Sequence, residues 1–160
     1  SILCFSDVIE NLEDVPKIQM IIKMLSSGLN SPLYQEIREK RGLVYYIQNW
    51  LDKTGDKGRV FFASLTTEEN TEKFKDALYE VLDDPEKYLT EKRFNVIKNK
   101  LKIGYKKANI NAHGNVNKYI QPKEWILENF LNDLSLKDCL DIYDKYFNTN
   151  NLKFTTDEEY

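Results

Sequence analysis

One histidine, His113, stands in 160 residues. A catalytic zinc centre takes about three protein ligands with a fourth position left open for water. A lone histidine cannot build a two-histidine metal motif, and it leaves little for a Ser-His-Asp or Cys-His arrangement. Beside Gly114 it reads as a loop residue. Cysteine is nearly as scarce. Cys4 and Cys139 lie far apart, form no Cys-x-x-Cys pair and sit in apolar-patterned segments, so both are expected as buried free thiols. No metal site is expected in this chain. Also absent are a Gly-x-Ser-x-Gly elbow, a P-loop and a dinucleotide-binding fingerprint. No apolar run reaches the ~20 residues of a membrane-spanning helix, and no signal-peptide pattern is present. The net charge is −3 with basic residues spread along the chain, which argues against a dedicated nucleic-acid binder.

Hydrophobic residues at 41% and charged residues at 31% suit a globular protein, and 160 residues can enclose one core. A single domain over 1–160 is expected. The most informative stretch is Ser31-Pro-Leu-Tyr-Gln-Glu-Ile-Arg-Glu-Lys-Arg-Gly-Leu-Val-Tyr-Tyr-Ile47. Ser31 can cap a helix that Pro32 opens. Glu36 and Lys40 are spaced to pair, and Lys40 and Arg41 place positive charge at the helix C-terminus. Gly42 supplies the left-handed residue that stops it. Leu43–Leu51 then reads as a strand. Arg38 and Tyr45, seven residues apart across this stop, can project toward one helix–strand corner. In a regular strand Tyr46 would face the other way, and a bulge would exchange the two tyrosines' roles.

The rest of the chain follows in order. Ile2–Ser6 is a short strand, and Pro16 opens a helix with Ile18, Ile21, Ile22 and Leu25 on one side. Ser26–Ser31 is a turn around Gly28. Arg59–Leu65 is expected to form a hairpin with the preceding strand. Thr67 can cap a helix striped by Phe74, Ala77, Leu78, Val81 and Leu82, ending at Asp83-Asp-Pro85. Thr90 caps a longer helix with Phe94, Ile97, Leu101 and Tyr105 inward, while Lys98, Lys102 and Lys106 form a row expected to stay solvated. A loop over 109–115 precedes a helix through Val116, Tyr119 and Ile120 that runs, irregular at Pro122, to Phe130. Ser135 caps the last helix, and Leu152–Thr155 is a final strand. This order predicts an α+β fold, a largely antiparallel sheet with helices packed on one face.

The segment Ser31, Leu33, Tyr34, Ile37, Arg38, Lys40, Gly42, Leu43 and Tyr45 resembles S-x-L-[FY]-x-x-[IL]-R-x-[KE]-x-G-L-x-Y. That pattern belongs to the C-terminal lobe of the M16 zinc metallopeptidases, the family of insulin-degrading enzyme, pitrilysin and the mitochondrial processing peptidase. The family lobe is larger than 160 residues, so the resemblance implies a lobe truncated at its N-terminal side and a fragment of a longer protein. It also implies zinc in the parent enzyme, bound through His-x-x-Glu-His by another lobe or subunit. The partners implied are that zinc-bearing lobe and a peptide substrate, with no nucleic acid or membrane.

The same resemblance makes Arg38 and Tyr45 the substrate-binding pair. When a peptide carbonyl is attacked, negative charge develops on its oxygen, and a phenol O–H aimed there stabilises the transition state. Tyr45 takes that role, and Arg38 holds the substrate backbone. The alternative is a catalytically inactive M16-like module for assembly or scaffolding. Fold alone does not choose between the two.

Overall fold

The computed structural model describes residues 1–54, 57–108 and 123–156. The expected loop with His113, the helix start at Val116–Ile120 and Pro122 lie outside the described residues. Four strands, β1 (Ile2–Phe5), β2 (Gln48–Thr54), β3 (Lys57–Ser64) and β4 (Lys153–Thr156), form one antiparallel sheet in the order β2-β3-β1-β4. Cys4 lies opposite both Phe62 and Phe154, and Trp50 opposite Phe61. Strand alternation divides the sheet's faces. Ile2, Cys4, Val60 and Phe62 are buried toward the helices. Phe5, Phe61 and Trp50 line the other face, with ring centroids 5.8 and 5.2 Å apart.

The helices are α1 (Val15–Ser26), α2 (Thr71–Leu82), α3 (Pro85–Tyr88), α4 (Glu91–Ala108), α5 (Leu136–Asp141) and α6 (Tyr143–Phe147). Every member of the expected α2 stripe is buried. Ile18, Ile21, Ile22 and Leu25 of α1 are buried too, together with Met20 and Met24, so α1 is covered on more than one side. Phe62 meets Phe147 edge-on at 6.4 Å. Burying a side chain of that size contributes about 1.5–3 kcal/mol. Two of the expected caps form, whereas Thr67 makes no side-chain cap and α2 starts only at Thr71, after a 3₁₀ turn over Glu68–Asn70. Thr90 Oγ1 accepts the Arg93 N–H, and Ser135 and Asp138 make a reciprocal capping box. Both cysteines are free and buried, and burial first of all pushes each thiol up to about 12.

Asp14 is the buried charge that joins the start of α1 to α6. It accepts from Lys17 at 3.2 Å, Lys145 at 3.1 Å and Tyr146 at 2.7 Å. Burial alone would raise its pKa, but these hydrogen bonds outweigh it and hold the carboxyl below its ordinary value.

Four further expectations are corrected. The strand expected from Leu43 starts at Gln48. Leu43 and Val44 are both buried while Tyr45 and Tyr46 are both exposed, so the alternation a strand needs is missing. The helix expected to run on to Phe130 is instead two 3₁₀ turns, Lys123–Trp125 and Leu127–Phe130. The last helix breaks at Ile142, after which the Tyr143 hydroxyl donates to the Leu82 carbonyl at 2.9 Å. The lysine row is not uniformly solvated. Lys98 donates to the Leu134 carbonyl at 2.8 Å and, more weakly, to that of Asn132.

Candidate functional site

The corner begins where α1 ends. Arg93 of α4 reaches back and donates to the carbonyls of Met24, Ser27 and Asn30, the last two at 3.3 and 3.1 Å. Those carbonyls belong to the end of α1 and the turn after it, groups that helix geometry leaves without partners. Gly28 gives this turn its left-handed residue at φ +87°. Ser31 does not cap with its side chain as expected. Its hydroxyl is buried without a hydrogen-bond partner among the described residues, while its carbonyl accepts the Gln35 N–H at 2.9 Å.

The motif helix departs from ordinary α geometry. Tyr34–Glu39 is π-wound, and the Lys40 N–H donates to the Gln35 carbonyl, five residues back, at 3.0 Å. Such turns are rare and often sit at functional sites. Gly42, at φ +61°, closes the turn as expected. Its N–H donates to the Arg38 carbonyl and that of Leu43 to the Ile37 carbonyl. Leu33 and Ile37 anchor the inner side in the core. The expected Glu36–Lys40 pair is present at 2.6 Å, and that hydrogen bond is the main reason the Glu36 carboxyl lies below its ordinary pKa. Arg41 bonds the Glu36 carbonyl at 3.0 Å and the Glu80 carboxylate, which ties the turn to α2.

The structure brings Arg38 and Tyr45 together. The Arg38 Cζ lies 4.8 Å from the Tyr45 ring centroid and 4.8 Å from that of Tyr34. Glu39 Oε1 is 3.9 Å from Arg38 Nε. Tyr45 is 78% exposed, the most exposed large hydrophobic side chain described, and Tyr46 is 38% exposed. The backbone on either side is held. Thr66 Oγ1 donates to the Leu43 carbonyl at 2.7 Å, and Ser64 Oγ to the Tyr46 carbonyl at 2.6 Å. Side-chain hydroxyls thus replace the strand partner that Leu43–Ile47 was expected to have. A shallow open concavity of about 400 Å³ borders Tyr45, with Leu65, Thr66 and Asn70 on its far side.

Sequence reasoning missed Ser64, Thr66 and Arg93, which act from outside the motif and carry no local signal. Tyr34 stood inside the motif, four residues before Arg38, and that spacing was the available clue. Among the described residues no group of three or more His, Cys, Asp or Glu could hold a metal ion. Zinc has no fitting ligand set among them.

Residues 3–101 match the model of the family described as the peptidase M16 inactive domain. An uncharacterized zinc protease of Rickettsia felis is 27% identical over 149 residues, covering 87% of this chain; the chain spans 36% of that relative's length. The inactive peptidase domain of a Bordetella parapertussis protein superposes with a TM-score of 0.78 at 13% identity, over 96% of this chain and 89% of that one. A chain of complex III2 from Candida albicans superposes at 0.71 with 9% identity, over 96% of this chain and 42% of its own length.

Proposed function

We propose that this chain, which belongs to the peptidase M16 inactive-domain family, is most of the substrate-binding, non-zinc lobe of an M16-type zinc metallopeptidase. The substrates are peptides or unfolded polypeptides, and the zinc belongs to a partner lobe or subunit. The observation that carries the reading is the corner itself: a largely exposed Tyr45 on a segment tied down at Leu43 and Tyr46, beside an Arg38 within the same turn. A preorganised phenol O–H can donate to a carbonyl oxygen as it gains charge, with little reorganisation at the moment of reaction. The guanidinium carries five donors and no acceptor, which suits it to holding an extended backbone by its carbonyls. Neither group is a general base.

The test is peptide hydrolysis by the complete protein, or by this lobe joined to its zinc-bearing partner. Tyr45→Phe is expected to lower turnover by about 10²–10³, the scale of one oxyanion donor, with folding and zinc content unchanged. Arg38→Ala is expected to raise KM and lower turnover. Variants as active as wild type would overturn the site assignment. The second reading is a catalytically silent module for assembly, supported by the likeness in fold to a chain of complex III2. An assembled wild type with neither zinc nor activity decides for it.

A further inference from the structure

Arg38 has more neighbours than the pair assigned above. Its guanidinium is flanked by two tyrosine rings, those of Tyr34 and Tyr45, at the same centroid distance of 4.8 Å. Glu39 lies beside its Nε. The Tyr34 phenol is raised above its ordinary pKa, first by burial and then by the neighbouring Glu39. The π-winding accounts for the grouping. Widening the turn to i→i+5 bonds puts the residues four and five apart to either side of the first, so Arg38 and Glu39 share the Tyr34 face.

We infer that Tyr34 is a positioning residue that sets the orientation of Arg38 for the substrate backbone. The inference rests on the proposed role of Arg38. An aromatic ring attracts a guanidinium through its face and takes up none of its in-plane N–H donors. Glu39 faces the Nε edge, which leaves the two terminal nitrogens for carbonyls of a bound peptide. The arm of an exposed arginine has many rotamers, and ordering it on binding lowers affinity and misplaces the substrate. Ring contact made in advance removes part of that cost. Tyr34 therefore acts through Arg38 and does not touch the reacting atoms.

The experiment uses the complete, zinc-loaded protein with Tyr34→Leu, Tyr34→Phe, Arg38→Ala and the double variant Tyr34→Leu/Arg38→Ala, reading kcat and KM for one peptide. Tyr34→Leu is expected to lower kcat/KM by about tenfold, less than the ~10²-fold that a misplacement of about 1 Å can cost. Tyr34→Phe keeps the ring and is expected within about twofold of wild type, the smallest effect of one exposed cation–π contact. In the Arg38→Ala background Tyr34→Leu is expected to cost nothing further. Should Tyr34→Leu reduce folded yield, Tyr34→Gln makes the same removal with a polar side chain of similar reach. The inference is overturned if Arg38→Ala loses activity while Tyr34→Leu does not. It is equally overturned if the two losses multiply in the double variant, as independent structural damage would. If Arg38→Ala is fully active, the proposed function falls first and this inference with it.

Discussion

Asp14 and Arg38 are both charged side chains held by tyrosine and by opposite charge, and they differ in what is left over. Asp14 is buried, and three donors converge on its two oxygens. Arg38 sits at the surface with rings beside it and one carboxylate at its Nε. A carboxylate buried among donors from its own chain joins elements together, because burial keeps any outside partner from reaching it. An arginine contacted through its faces is oriented and still has donors to offer. The arrangement of partners around a charge, more than the charge itself, separates a structural lock from a contact site.

The largest effect should come from the corner and leave stability alone. Tyr45→Phe removes one exposed hydroxyl, so the ~10²–10³ loss of turnover should accompany an unfolding free energy within about 0.5 kcal/mol of wild type. Urea unfolding beside the hydrolysis assay checks both, and a Tyr45→Phe protein that is equally active or markedly unstable would erase the contrast. Asp14→Ala should do the reverse. Leaving the buried Tyr146 hydroxyl without its acceptor is expected to cost about 1–3 kcal/mol, visible as a lower urea midpoint, with turnover per folded molecule unchanged.

Gly42→Ala sharpens the boundary between the two regions. An added Cβ at Gly42 meets nothing within 4 Å, so its cost is that of the left-handed backbone alone. About 1–2 kcal/mol is expected by thermal unfolding, together with a loss of activity as the Arg38–Tyr45 corner shifts. The smallest effect is pH dependence. The folded Asp14 carboxyl has a pKa below its ordinary 3.8, so the unfolded chain binds the extra proton first and stability rises with pH through that interval. Its contribution should be complete above about pH 5 and disappear as pH falls through the lowered value. Asp14→Asn should flatten that part of the acid-unfolding profile, and an unchanged profile would remove Asp14 from the account.

Much of this was legible locally. Side-chain periodicity marked the α2 stripe because a helix buries one face at fixed spacing, and all five residues are buried. Gly42 was readable because only glycine takes φ +61° without strain, and Ser135 because a cap bonds its own first turn. Arg38 and Tyr45 stood within one short motif. The strand expected from Leu43 failed for a reason no window could contain. The Leu43 and Tyr46 carbonyls are taken by Thr66 and Ser64, about twenty residues on, so this segment leaves the ladder and both tyrosines face outward.

By itself, then, the sequence determined the fold class, the helix stop at Gly42, the burial of both thiols and the nearness of Arg38 to Tyr45, since each follows from interactions within a few residues or from a pattern of apolar side chains. Tertiary structure decided the sheet order β2-β3-β1-β4, the clamp of Arg93 on the turn before the motif, and the placing of Arg38 between Tyr34 and Tyr45. The first two join groups tens of residues apart, and the third depends on a π-wound turn and on hydroxyls from the end of β3 and beyond. Whether such distant groups meet is set by packing of the whole core, which no local spacing encodes.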